Sequence, residues 1–145
     1  MYVASSWRNA LQPAVVATLR AADIDCYDFK DSEGFHWSEV MPEYRGGIEP
    51  AHVEDYLEAL EHPRSIQGYS RDFSAMEKAD TFILVLPCGR SAHQELGWAV
   101  GQGKRTAILL DPDDNNEVTP ELMYKMVDFV TPSMYDLLGW LEVED

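Results

Sequence analysis

Residues 81–86 read Thr-Phe-Ile-Leu-Val-Leu, a near-continuous apolar run, followed within a few positions by Gly89, Arg90 and Ser91. An unbroken run, rather than strict alternation, is the pattern of a parallel strand covered on both faces. The spacing therefore predicts a central strand over 80–86, a Gly/Ser turn, and then a helix carrying Glu95 in its first turns. Earlier in the chain, 2–5 reads as a first strand. Residues 13–22 read as a helix with Val15, Val16 and Leu19 on one face, Pro13 being tolerable only in the first turn. A second strand is expected over 24–29. Helical patterns cover 51–60 and 62–78, the latter feeding the central strand.

Beyond the central helix, 106–110 reads as strand four, and the Asp-Pro-Asp-Asp-Asn-Asn run at 111–116 interrupts the chain. A short helix is expected over 120–126, a fifth strand at Phe129-Val130, and a last helix over 133–141 capped by Ser133. Residues 30–50, rich in Gly, Pro, Asp and Glu, are too long for an ordinary βα connection and read as a lid-like loop. Strands alternating with helices imply α/β architecture, with helices on both faces of a parallel sheet. The expected fold is a single-domain, flavodoxin-like (Rossmann-like) three-layer sandwich over 1–145, with a five-stranded sheet in the order 2-1-3-4-5. That order makes the carboxyl ends of strands one and three neighbours at a switch point, where ligands bind. The turn after strand one, with Ser6, Trp7 and Arg8, then faces the turn bearing Gly89, Arg90 and Ser91 and the helix bearing Glu95.

Composition narrows the partners. At 145 residues the chain suits one domain, and it has 26 acidic against 11 basic residues, a net charge of −15. Such a field repels a phosphate backbone, so no nucleic-acid partner is expected, whereas a small ligand remains within reach of local N–H groups and arginines. No apolar run approaches the ~18 residues of a membrane span. No basic, apolar leader stands at the start, so a cytoplasmic location is expected. The two cysteines, Cys26 and Cys88, are expected as free thiols, and no metal site is expected. The acidic run at 111–116 lacks the alternation and turn glycine of a calcium loop.

Three segments carry a family resemblance: Tyr-Val-Ala-Ser-Ser-Trp-Arg-Asn at 2–9, the helix-to-strand stretch at 71–87, and Ser-Ala-His-Gln-Glu-Leu-Gly-Trp-Ala-Val-Gly-Gln-Gly-Lys at 91–104. The chain resembles the nucleoside 2-deoxyribosyltransferase superfamily, including the 2′-deoxynucleoside 5′-monophosphate N-glycosidases and pyrimidine-nucleotide hydrolases. The resemblance implies a nucleophilic Glu in the E-L-G-x-A helix, here Glu95, and a sugar- or base-contacting Asp, here Asp72. It further implies that Ser91 and the turn of Ser6 to Arg8 hold the 5′ end of a nucleoside or nucleotide. No cofactor is implied. The pocket is completed by a neighbouring subunit in the transferases, so a homodimer or higher homo-oligomer is implied, with Met123-Tyr124 a faint match to that part. Tyr2 stands near an active-site tyrosine of some members, and core packing is an equal reading.

The chemistry needs these groups on independent grounds. Cleaving an N-glycosidic bond passes through an oxocarbenium-like state, which a carboxylate beneath the anomeric carbon stabilises or traps covalently. The departing base needs a proton or hydrogen bond, for which Asp72 is the candidate. Transfer to water and transfer to another base differ only in what attacks the intermediate, so hydrolase and transferase are not separated. Bland alternatives stand beside each role: Glu95 as a helix-dipole partner, Asp72 as N-cap of a 73–78 helix, Ser91 as N-cap of the site helix, and Arg8 as a surface ion-pair partner. His93 is expected in a surface or capping role. Phe35 and Trp37 either stack on a base or pin the long loop. Two other functional readings are a non-catalytic nucleotide sensor and, from the loose echo of P-G-G-x-G-T-x-x-E in 87–95, a phosphoribohydrolase of the cytokinin-activating type.

Overall fold

The computed structural model describes residues 1–31, 34–44 and 50–143. Five strands, β1 (Tyr2–Ala4), β2 (Tyr27–Asp28), β3 (Thr81–Val85), β4 (Arg105–Leu109) and β5 (Phe129–Thr131), form a parallel sheet in the order β2-β1-β3-β4-β5. The helices are α1 (Gln12–Ala21), α2 (Val53–Leu60), α3 (Pro63–Lys78), α4 (Arg90–Gly101) and α5 (Met134–Glu142), with single 3-10 turns at Trp37–Glu39 and Leu122–Met126. The expected sheet order and α/β class are those observed. The chain divides into two compact units, Met1–Asp28 with Lys78–Asp145, and Phe29–Glu77.

In the first unit the period-two alternation of short buried strands sorts side chains onto two faces. Val3, Ile83, Val85, Ala107 and Leu109 pack with Val15, Val16 and Leu19 of α1 and with Leu137 of α5. On the other face, Tyr2 stacks between Tyr27 and Phe82, its register partners on β2 and β3, at centroid distances of 5.4 and 5.0 Å. Phe82 in turn meets Trp98 of α4. Helices thus cover both faces, giving three layers. Tyr2 is only 1% exposed, which makes it a core residue. Residues 82–85 of β3 are each 0% exposed, and burying side chains of this size contributes roughly 1.5–3 kcal/mol apiece.

Several boundaries differ from the sequence expectation for identifiable reasons. Helix α1 starts at Gln12, because Asn9 Oδ1 accepts from the N–H groups of Leu11 and Gln12 and satisfies the first turn ahead of Pro13. The expected strand at 24–29 shrinks to Tyr27–Asp28, since the chain leaves α1 through Asp23 at positive φ and Ile24 N–H still bonds back to Leu19. Helix α5 is capped as expected, Ser133 Oγ accepting from Asp136 N–H at 3.1 Å. Its carboxyl end is closed by Arg105, which donates to the carbonyls of Trp140 and Leu141 and lies 4.0 Å over the Trp140 ring.

The second unit is built around α2 and α3. Phe35 meets Trp37 edge-on at 5.0 Å, and Trp37 meets Tyr56 of α2 at 5.6 Å. Gly68 on α3 leaves room for Phe35, whose Cβ would lie 2.9 Å from any added methyl. Arg64 binds Glu39 at 2.9 Å and the Gly34 carbonyl at 3.3 Å, tying this segment to α3. The rings therefore do pin part of the long loop. Of that loop, 32–33 and 45–49 lie outside the described residues.

Candidate active site

The carboxyl end of β3 opens into a turn, Leu86 to Gly89, that delivers α4. Gly89 is the N-cap, in extended conformation and without a side-chain cap, so Ser91 lies inside the first turn. This corrects the reading of Ser91 as N-cap; Ser91 and Arg90 are exposed beside the helix N-terminus, where the dipole favours anions. Glu95 follows one turn later and is half-buried. It is engaged by neighbours rather than free in solvent.

Charge at this turn is reported by Cys88. Burial, and then the negative charge of Glu95, push its thiol from the ordinary 9.0 up to about 11. The thiol is thus neutral, a poor nucleophile. It stands 3.6 Å from Nδ1 of His93. That imidazole spans two partners, Nδ1 at 2.8 Å from the Gly89 carbonyl and Nε2 at 2.8 Å from the Tyr124 hydroxyl. Because a carbonyl only accepts, Nδ1 carries a proton, and in the neutral ring Tyr124 O–H is then the donor to Nε2. The two rings also stack, 5.8 Å apart and 14° from parallel. Burial, then Cys88 and Glu121, hold the Tyr124 phenol above its ordinary range. His93 thus links the first turn of α4 to Tyr124 without capping its free N–H groups, and Tyr124 contacts α4 of its own chain.

The turn after β1 lies against the β3–α4 turn. Ser5 Oγ donates to the Val85 carbonyl at 2.8 Å, and the buried Asn9 amide donates to the carbonyls of Val85 and Pro87 at 3.2 and 3.0 Å. Ser6 Oγ accepts from Arg8 N–H within its own turn, while Trp7 and Arg8 are exposed. The structure therefore joins the two turns that carry Ser6, Trp7, Arg8, Gly89, Arg90 and Ser91. Sequence reasoning missed Asn9 as their fastener, although an Asn three residues before the helix start is a cap signal.

Asp72 belongs to the second unit. It lies in the interior of α3, which corrects its reading as the N-cap of a 73–78 helix. Its Oδ1 accepts from Nε and Nη2 of Arg71, both at 3.3 Å.

A cavity of about 920 Å³ opens on another side of the β3–α4 turn, walled by Cys88, His93, Leu96 and Tyr124 and rimmed by Asp111, Glu117 and Glu121. Asp113 is committed to its own turn, accepting from the N–H groups of Asn115 and Glu117. Among the described residues no group of three or more His, Cys, Asp or Glu is arranged to hold a metal ion, and no helix is long and apolar enough to cross a membrane.

This sheet order with helices on both faces defines a flavodoxin-like α/β protein, a class in which ligands bind at the β1/β3 switch point. Within that class the chain is similar to the solved structure of the 2-deoxyribosyltransferase of the psychrotolerant bacterium Bacillus psychrosaccharolyticus. The TM-score is 0.57 at 16% identity, over 94% of this chain and 88% of that one. No protein-family model matches the sequence, and no curated protein matches it significantly.

Proposed function

We propose that this protein cleaves or exchanges the N-glycosidic bond of a nucleoside, or of its 5′-monophosphate, as a member of the nucleoside 2-deoxyribosyltransferase superfamily. The observation that carries the reading is Glu95: a carboxylate one turn into the helix that leaves the central strand, beside the turn fastened to the end of β1. The fold likeness to a deoxyribosyltransferase along nearly the whole chain supports it.

In this reading a Glu95 carboxylate oxygen attacks the anomeric carbon as the bond to the base nitrogen breaks, and the bonding pair leaves with the base. The role proposed for Asp72, whose Oδ1 accepts from Arg71, is to assist the departing base, which takes a proton from solvent to leave neutral; the water or acceptor base that attacks next gives one up. Water or a second base then attacks the anomeric carbon, expels the carboxylate, and gives free sugar or a new nucleoside. Arg8, Arg90, Ser6 and Ser91 hold the 5′ end, Trp7 and Gly89 shape its surroundings, and Phe35 and Trp37 are, by residue type alone, the candidates for stacking on the base. Self-association is part of the proposal, supported by the exposed apolar stripe Val53, Tyr56, Leu57 and Leu60 on α2.

The test is chromatographic. The protein and its Glu95→Ala variant are incubated with nucleosides and 5′-monophosphates, with and without an acceptor base. Base released only with Glu95 intact supports the mechanism, and dependence on acceptor separates transferase from hydrolase. Ligand binding without turnover would instead favour the nucleotide sensor.

A further inference from the structure

We propose that Asn9 is a positioning residue that sets the β1–α1 turn and the β3–α4 turn in register, and thereby places Glu95. The inference goes beyond the groups assigned to substrate and rests on the reading of these two turns as walls of its pocket.

The side chain is 4% exposed and uses its full hydrogen-bonding capacity. Its Nδ2 donates to the carbonyls of Val85 (3.2 Å) and Pro87 (3.0 Å); its Oδ1 accepts from the N–H groups of Leu11 (2.8 Å) and Gln12 (3.0 Å). The flipped amide would set oxygen against two carbonyls, so the orientation is fixed by chemistry. Sheet pairing between β1 and β3 ends at Ala4 and Leu84. Beyond that point the chain segments after β1 and β3 no longer share a backbone ladder. Asn9, with Ser5 Oγ on the same Val85 carbonyl, continues the connection through side chains.

One residue thus ties together the amino end of α1, the turn bearing Ser6 to Arg8, and the turn that ends at Gly89, N-cap of α4. A nucleophile acting on a bound sugar is sensitive to such placement, since a shift of about 1 Å can cost a hundredfold in rate. A cap alone would need only the oxygen. The two donor contacts across some 76 and 78 positions of sequence are what a purely local helix cap does not explain.

The test compares Asn9→Ser, which retains a short capping oxygen but cannot span to Val85 and Pro87, with Asn9→Asp, which keeps length and acceptor but loses the donor. Val16→Ala, a core change on α1 that removes none of the hydrogen bonds made by Asn9, controls for lost stability. Two quantities are measured on protein shown to be folded by circular dichroism: kcat and KM for base release, and the rate of Cys88 alkylation located by mass spectrometry. We expect kcat to fall at least about tenfold in both Asn9 variants with KM held within about threefold. Cys88 labelling should rise about fivefold as the turn loosens. Val16→Ala should keep wild-type kcat and labelling despite a lower Tm. The proposal is overturned if Asn9→Ser keeps both values near wild type, or if Val16→Ala loses as much. Should the wild-type protein release no base from any substrate, the proposed function fails instead, and the labelling arm alone decides whether Asn9 fastens the turns. If Asn9→Asp does not fold, Asn9→Ser carries the comparison.

Discussion

Glu95→Gln should make Cys88 a stronger acid. The thiol stands at about 11 against an ordinary 9.0, with burial the larger cause and the Glu95 charge the second. Two pKa units change the thiolate fraction about a hundredfold: near pH 8 roughly a thousandth of Cys88 is ionised, against roughly a tenth for an unperturbed thiol. Only the thiolate is alkylated appreciably, so the rate of iodoacetamide labelling, followed from about pH 7 to about pH 11 by peptide mass spectrometry, reads this directly. In wild-type protein the rate should climb throughout that range. In Glu95→Gln the inflection should move part of the way toward 9.0, because burial is untouched. The same shift bears on stability. A folded-state value raised above the unfolded one contributes stability that is full below pH 9.0 and is lost as pH rises toward 11, so Cys88→Ala should flatten the alkaline decline in Tm. A profile indifferent to Glu95→Gln would refute the placement of Glu95 beside this turn, and a wild-type inflection near 9.0 would refute the burial of the thiol as well.

The other tests address the frame around the site. Gly68→Ala should destabilise the protein by about 1–2 kcal/mol in urea unfolding, because the new methyl meets the root of Phe35 at 2.9 Å and this overpacking outweighs the gain in helix propensity; a more stable variant would mean that Phe35 does not sit there. Arg105→Ala should cost about 1–2 kcal/mol, and Arg105→Lys should recover little, since the planar stack on Trp140 is lost in both. The carboxyl of Glu39 is held below its ordinary 4.5, first by the His36 N–H and then by Arg64. Its contribution is therefore present above pH 4.5 and lost on acidification below it. NMR titration of Arg64→Ala should show the Glu39 value rising only in part, the His36 bond remaining.

Where a structural rule acts within one segment, the sequence carried it. The short unbroken run at 82–85 is the pattern of a doubly covered strand, and the apolar spacing of Val15, Val16 and Leu19 that of a one-sided helix; both are in place. Strand order followed from the alternation of elements, since a parallel sheet with helices on both faces admits few arrangements. Segment ends were less legible. Ser91 has the composition of an N-cap, yet the extended conformation at Gly89 starts the helix two residues earlier and takes that position. Asp72 likewise has cap chemistry, but α3 begins at Pro63, whose missing N–H suits a first turn, and runs through Asp72 without interruption.

The candidate site divides along the same line. Glu95 could be found because its position relative to the strand and turn is a matter of a few residues. The groups that hold its helix in place could not, because each acts across the fold: Asn9 reaches Pro87, and Tyr124 reaches His93. Neither pair shares a periodicity, and neither residue type is unusual in a loop. What distinguishes them is burial of polar atoms that must find partners, a cost incurred only after the chain has closed. A buried Asn with all four bonds filled, at the point where two strands stop pairing, is therefore better evidence of a site needing fixed geometry than any of the exposed polar side chains around it.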